Sequence, residues 1–252
     1  MAERLVTRGI VLRETRTKET DKILTLLTPQ GRYGVVARGA RGPRSRIAAA
    51  SELLAYSEVV LAERRGWYML DEATTLRLFD GLRADVEKLA LASYFAELAE
   101  AVTEENYGAE DVLALLLNAL HALERLDRPA ALLKGAYELR LMALSGYEPQ
   151  LGGCAVCRRE TPREPVFDPR EGVVLCRACA LGAAGGLRAL EGGALEAMRH
   201  VLRSEKGRVF SFALAPPGLS LFSRACESFV LAQLERSFRT LDYYHKIKTY
   251  SN

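Results

Sequence analysis

The sequence predicts an α+β protein. Residues 1–80 would form a five-stranded OB-type β-barrel, residues 81–150 and 183–252 the two parts of an α-helical bundle, and residues 151–182 an inserted four-cysteine module. Three observations carry this expectation. Apolar residues fall in five short runs before residue 80, recur at the 3.6-residue helical period from Arg83 onward, and give way at 154–179 to two Cys-x2-Cys pairs.

The first run, 5–13, has Val6, Ile10 and Leu12 on one parity and reads as a strand. Residues 23–28 and 32–38 read as two more, joined into a hairpin by Pro29-Gln30-Gly31. A fourth strand spans 55–63, rich in Val59, Val60 and Leu61. Arg64-Arg65-Gly66 turns the chain, and Trp67-Tyr68-Met69-Leu70 begins a fifth. Five short strands with one long connection between the third and fourth fit a small barrel of the OB type; an SH3-like barrel is the alternative.

That connection, 39–46, is broken by Gly39, Gly42 and Pro43 and carries Arg41, Arg44 and Arg46, with Arg38 before it. A packed core would leave these charges unpaired. A flexible guanidinium-rich loop beside a barrel face suits a phosphate backbone instead. The charge pattern agrees. The net charge of +3 hides a first segment, 1–50, with eleven basic and four acidic residues, and a middle segment, 81–150, with six basic and twelve acidic. Residues from 151 onward carry fifteen basic and ten acidic groups. A basic first segment implies an anionic partner. Tyr33, Tyr56, Trp67 and Tyr68 lie among these cations and suit either barrel core or base stacking.

Beyond Arg83, Val86, Leu89, Ala90, Tyr94, Leu98 and Val102 recur on helical turns, with Glu97 departing from the stripe. Asn106-Tyr107-Gly108 interrupts, and a second helix covers 111–126. Pro129 opens a third, which Ser145-Gly146 ends. After the cysteines come a Gly/Ala-rich link at 181–186, a short helix at 194–202, a break at Pro216-Pro217-Gly218 and a final helix over 219–238 that completes the bundle. The basic, aromatic end at 243–250 reads as a frayed terminus or a contact for nucleic acid or protein.

Cys154, Cys157, Cys176 and Cys179 can bring four thiolates to one tetrahedron, the geometry of Zn²⁺. The segment between the pairs holds Pro162, Pro165, Pro169 and Gly172, so it loops, and 167–175 reads as a hairpin that delivers the second pair to the first. A shell of four thiolates leaves no position for water, so one structural zinc per chain is expected. Two disulfides or a redox dithiol are the competing readings; the absence of an export signal and the pairing of two knuckles oppose them. Cys226 reads as a buried free thiol.

The N-terminal residues have no export pattern and no apolar run is long enough to span a bilayer, so a soluble cytoplasmic protein is expected. No catalytic constellation stands out. Residues 34–41 have phosphate-loop glycines without the Lys-Ser/Thr, and His121, His200 and His245 form no ligand-spaced pair.

Several blocks resemble the RecO family of bacterial recombination mediators. They are Gly9-Ile10-Val11-Leu12-Arg13, Glu19 through Thr28, Gly31-Arg32-Tyr33-Gly34-Val35-Val36-Ala37-Arg38-Gly39-Ala40-Arg41, and Tyr137 through Pro149 before the first cysteine pair. The resemblance covers nearly the whole chain. It implies an OB domain, a helical bundle and a zinc module. It also implies binding to single- and double-stranded DNA, annealing of complementary strands, a complex with RecR, and contact with single-strand-binding protein, so that RecA is loaded indirectly. The setting would be recombinational repair of the RecF type, in the cytoplasm at the nucleoid. The chain departs from the family in lacking a basic run at 236–240. The expected DNA contacts are Lys22, Arg32, Arg38, Arg41, Arg44 and Arg46, with Tyr33 or Trp67 as stacking groups. Two readings from other classes stay open: an OB scaffold for acidic protein segments, and a metal-dependent hydrolase or redox enzyme.

Overall fold

The computed structural model describes residues 4–251 apart from 65, 183–184, 192 and 206. Parts of the 64–66 turn and of the 181–186 link therefore lie outside the described residues. The chain divides into two compact units, Met1–Glu124 with Phe238–Asn252, and Arg125–Ser237.

The first unit is built on β1 (Arg4–Thr17), β2 (Asp21–Thr28), β3 (Gly31–Ala37), β4 (Tyr56–Arg64) and β5 (Trp67–Arg77). They close into a barrel in the order β1-β2-β3-β5-β4, the OB arrangement. β1 closes one seam antiparallel to β4, from Arg4 opposite Ala62 to Ile10 opposite Tyr56. The other seam is parallel, Val35 beside Tyr68 and Val36 beside Met69 of β3 and β5. Val11, Leu24, Leu26, Tyr33, Val35, Ala37, Val59, Leu61 and Leu70 fill the interior. Their period-2 spacing on β2 and β3 is what puts one face of each strand inside.

On β1 the parity differs from expectation. Val6 is 66% exposed and Val11 is the interior residue. The register shifts between Val11 and Arg13, which makes Leu12 a bulge. Ile10 and Leu27, opposite each other, are buried yet stand outside the interior cluster, and helix α2 (Val86–Val102) packs on β1. A strand covered on both faces loses the alternation that marks a half-exposed one.

The β2–β3 turn is locked from outside. Gly31 has φ +131° and a Cβ there would lie 2.7 Å from the backbone nitrogen of Tyr107, so only glycine fits. The Arg32 amide donates to the Glu104 carbonyl (3.1 Å) and the Ala109 amide to the Pro29 carbonyl (2.9 Å). The segment 104–109 joins α2 to α3 (Glu110–Arg125) and follows the short α1 (Asp80–Arg83) and α2. Asp85 caps α2, accepting the amides of Glu87 and Lys88.

The last helix of this unit, α7 (Arg239–Ser251), includes the end at 243–250 that the sequence read as a frayed terminus or a contact. It is ordered on α2, with Phe238, Leu241 and Tyr244 buried and Tyr94 edge-on to Phe238 at 5.8 Å. Glu97, the break in the α2 stripe, accepts both the backbone N–H and the hydroxyl of Thr240. A carboxylate at the first turn of a helix satisfies a donor that has no partner inside that helix.

The second unit comprises α4 (Ala130–Leu144), a four-stranded sheet, α5 (Ala194–Arg203) and α6 (Pro216–Gln233). Pro129 stands at the N-cap of α4. The sheet, in the order β6-β8-β7-β9, uses β6 (Gln150–Cys154), β7 (Pro165–Asp168), β8 (Val173–Cys176) and β9 (Arg188–Ala189). α6 starts at Pro216, earlier than expected, because prolines at the first helical positions lack only an N–H that has no use there. α4 and α6 cross closely: a Cβ on Gly135 would sit 2.6 Å from the Phe222 ring. α1–α3 and α7 fall in the unit with the barrel and α4–α6 in the unit with the sheet.

Between α4 and α6 lies an ion triad. Lys134 Nζ is 2.8 Å from Glu138 and 2.7 Å from Glu227, with the Lys134 and Glu138 side chains 2% and 0% exposed. Burial alone would lower the Lys134 pKa, but the two carboxylates reverse that and hold it above its usual value. Replacing Lys134 by Ala strips the cation from a buried carboxylate. It should cost about 3–5 kcal/mol in denaturant unfolding, whereas Asp127→Ala, at an exposed loop position, should change stability by less than about 0.5 kcal/mol.

Candidate nucleic-acid edge and metal centre

The arginine-bearing connection is not a free tether. Gly39, in the left-handed region at φ +63°, donates its amide to Asp21 Oδ1 (2.8 Å). The Arg41 amide donates to the Thr20 carbonyl (2.9 Å), and the Arg41 guanidinium to the Glu19 carbonyl (3.1 Å). Turn bonds from Gly42 to Gly39 and from Ser45 to Gly42 carry the chain onward. Ala40 is buried in the barrel cluster, and Ile47 packs against it. The two sequence blocks around Asp21 and Arg38 are therefore hydrogen-bonded to each other, and the loop expected to be flexible is fixed on the β1–β2 turn.

This fixes which expected contacts face solvent. Arg38, Arg41, Arg44 and Arg46 are exposed. Trp67, 57% exposed, stands opposite Arg64 at the start of β5. Lys22 does not join them. It shares the interior parity of Leu24 and Leu26, is only 4% exposed, and its ammonium is held by Glu14 (2.7 Å), Glu52 (3.0 Å) and the Ser51 carbonyl. An ammonium so matched is part of the barrel end, not a phosphate contact. Tyr33 is likewise corrected: it is buried in the barrel core, edge-on to Tyr68 at 4.9 Å, and cannot stack on a base. Burial, with Tyr68 beside it, also raises its pKa. Arg32 is half-buried and donates to the Glu100 carbonyl (2.7 Å).

Two cations were missed. Arg16 and Lys18 are exposed at the β1–β2 hairpin end to which the loop is bonded. Arg16 stands opposite Lys22, on the same face of the strand pair, yet at the end of the barrel it is exposed where Lys22 is buried. Among the described residues, Arg16, Lys18, Arg38, Arg41, Arg44 and Arg46 have no carboxylate partner. By contrast Arg4 and Arg64 meet Asp71, Arg8 meets Glu58, Arg13 meets Glu100 and Arg77 meets Glu124. Among the described residues of the barrel, 4–79, the exposed cations without a carboxylate partner are thus gathered on one loop and the hairpin end beside it.

In the second unit the Sγ atoms of Cys154, Cys157, Cys176 and Cys179 all lie within 4.8 Å of one another, and Cys157 and Cys176 are 3.7 Å apart. A tetrahedral ion with metal–sulfur bonds of about 2.3 Å needs sulfurs about 3.8 Å apart. The first pair sits on a turn where Arg158 donates to the Cys154 carbonyl and the Cys154 amide to the Arg159 carbonyl, both 2.9 Å. A Cβ on Gly153 would be 2.8 Å from the Arg159 oxygen, which requires glycine. The expected hairpin is present: β7 pairs with β8 from Asp168–Val173 to Pro165–Cys176, and Asp168 accepts the amides of Arg170 and Glu171 in the turn. Burial pushes the Cys154 thiol up, but backbone N–H groups of Cys157, Cys176 and Val156 bring it down to about 6. A shared hydrogen bond with Cys157, then burial, raise Cys179 to about 12. Negative charge on sulfurs this close together is mutually unfavourable, and a divalent cation among them would relieve it. The arrangement can hold a metal and leaves it no open position. Cys226, buried on α6, has its thiol pKa pushed well up by burial.

A five-stranded OB barrel with an unpaired cationic edge, in one chain with a four-cysteine centre able to hold a metal, defines a class of OB proteins that carry a candidate metal module. Comparison narrows it. Residues 1–79 match the family described as recombination protein O N terminal, and residues 83–242 the family described as recombination protein O C terminal. The chain is 30% identical to the DNA repair protein RecO of Acetivibrio thermocellus over 240 residues, 95% of each chain. It is 34% identical to that of Symbiobacterium thermophilum over 245 residues, 96% of each. With that of Roseiflexus sp. it shares 38% over 175 residues, 69% of this chain and 62% of the relative. The chain belongs to the RecO family.

The purified protein should carry one metal ion per chain by elemental analysis. Removing it with a chelator should raise amide exchange across 150–190 while leaving that of the barrel strands unchanged.

Proposed function

We propose that this protein is a DNA-binding mediator of recombinational repair. The observation that carries the reading is the cluster of six exposed cations without carboxylate partners on the loop and hairpin end of an OB barrel. Family membership agrees, since its relatives are named DNA repair proteins. The strand 2–3 face and the adjoining loops are where OB barrels take oligonucleotides. Here the outward residues of those strands include Ile23, Thr25, Gly34 and Val36, with Ile23 opposite Val36 and Thr25 opposite Gly34. An uncharged platform, low at Thr25 and Gly34, lets a strand lie close while guanidiniums hold its phosphates. Trp67 is the remaining group for base stacking.

Annealing follows from the same charge. Two complementary strands repel until their phosphates are neutralised, and an edge of unpaired cations can hold both through released counterions. No nucleotide is consumed, and no catalytic group is needed. The protein binds single- and double-stranded DNA, anneals complementary strands, and with RecR helps load RecA onto DNA coated by single-strand-binding protein, in the cytoplasm at the nucleoid. The ion at the cysteine centre is zinc, from the all-thiolate donor set and its tetrahedral spacing, and it serves folding. No helix of the described residues is long and apolar enough to cross a membrane.

The test is annealing and equilibrium binding of oligonucleotides across a salt series. Affinity should fall steeply with salt. Arg38→Glu with Arg41→Glu should weaken binding and flatten the log–log slope by up to about one unit per lost contact. An unchanged slope would remove this edge from the DNA path. Cys154→Ala with Cys176→Ala should lower the melting temperature; an unchanged value would remove the folding role of the metal.

A further inference from the structure

We infer that Asp21 is a positioning residue for DNA binding: it sets the arginine loop although its own charge opposes a polyanion. The inference rests on the reading above that this edge takes DNA. Asp21 opens β2 beside Arg16, Lys18, Arg38 and Arg41. By charge alone an acid there is a defect, since it repels phosphate and reduces the local positive potential. Its geometry gives a reason for its presence. Asp21 Oδ1 accepts the Gly39 amide at 2.8 Å. That amide follows Arg38 directly and belongs to a glycine in the left-handed region. The next donor along the loop, the Arg41 amide, is taken by the Thr20 carbonyl, one residue before Asp21. Asp21 and its neighbour therefore bind the loop at two points that bracket Ala40, whose side chain enters the barrel core.

Arg38 and Arg41 leave on either side of that anchored stretch, and their backbone directions are set by it. Without the carboxylate oxygen the Gly39 amide loses its acceptor, and glycine has more backbone freedom than any other residue. The two arginines then have to be ordered when DNA binds, and that entropy opposes association.

Two substitutions at one position separate geometry from charge. Asp21→Asn removes the charge and keeps an oxygen that can accept from Gly39. Asp21→Ala removes both. If charge alone mattered, both variants would bind single-stranded DNA more tightly than the unaltered protein. On the positioning reading, Asp21→Asn binds as tightly or more tightly. Asp21→Ala binds on the order of three- to tenfold more weakly, and its salt slope falls by about 0.7, the loss of one single-strand contact. Exchange of the Gly39 amide should be faster in Asp21→Ala than in Asp21→Asn. Binding by Asp21→Ala as tight as that of the unaltered protein would overturn the inference, as would an equal loss in both variants. Should Asp21→Ala fail to fold, Gly39→Ala disturbs the same bond from the loop side with the acid still present. It should weaken binding, and unaltered affinity would overturn the inference. The double charge reversal at Arg38 and Arg41, made with Asp21 intact, isolates the underlying reading. If that variant binds normally, the edge is not the DNA path and Asp21 has nothing to position.

Discussion

The parallel pairing of β3 with β5 is the constraint from which the functional edge follows. Two neighbouring strands that run the same way cannot be joined by a tight turn, and β4, which lies between them in sequence, must pair with β1 on the far seam. The chain leaving β3 therefore has to cross an end of the barrel before it can start β4. A long connection at 38–55 is a product of closure, and the guanidiniums lie on it. The crossing is kept short of disorder by bonds to the β1–β2 turn and by Ala40 in the core. The barrel thus supplies both the need for a loop and the anchors that hold it.

Most of this was legible in the residues. The five strands, the β7–β8 hairpin and the four ligand cysteines follow from spacing, because the period of a strand and the reach of a Cys-x2-Cys turn are local properties. What was not legible depended on partners far away in sequence. Lys22 and Tyr33 look like surface groups among arginines, yet each lies on the interior parity of its own strand, with Leu24 and Leu26 or with Val35 and Ala37. That alternation was present to be read and was outweighed by residue type. The inward turn of β1 was hidden by the bulge at Leu12. Glu97 resembles a flaw in a helical stripe until α7 is placed beside it, and Lys134 and Glu138 resemble a surface pair until Glu227 faces them.

The two units reach stability by different means. The barrel unit is closed by hydrogen-bonded seams and an apolar interior, with the buried Lys22 matched by two carboxylates at one end. The second unit has a small sheet, a cysteine centre and a buried triad of charges between two helices that approach closely at Gly135. Neither ion pairs nor metal ligands tolerate misalignment as an apolar contact does.

The docking of α7 on α2 also has a meaning for how the protein is made. The first unit is discontinuous: its final helix is encoded after the whole of the second unit. A chain emerging from the ribosome can close the barrel early, but α2 must wait with the face that receives Phe238, Leu241 and Tyr244 uncovered until residues 238–244 are synthesised. In the interval the second unit can fold completely. The order of birth is therefore barrel, then cysteine unit, then the seal on the barrel unit, and a nascent chain arrested before residue 238 would present an apolar helix face to the chaperones around it.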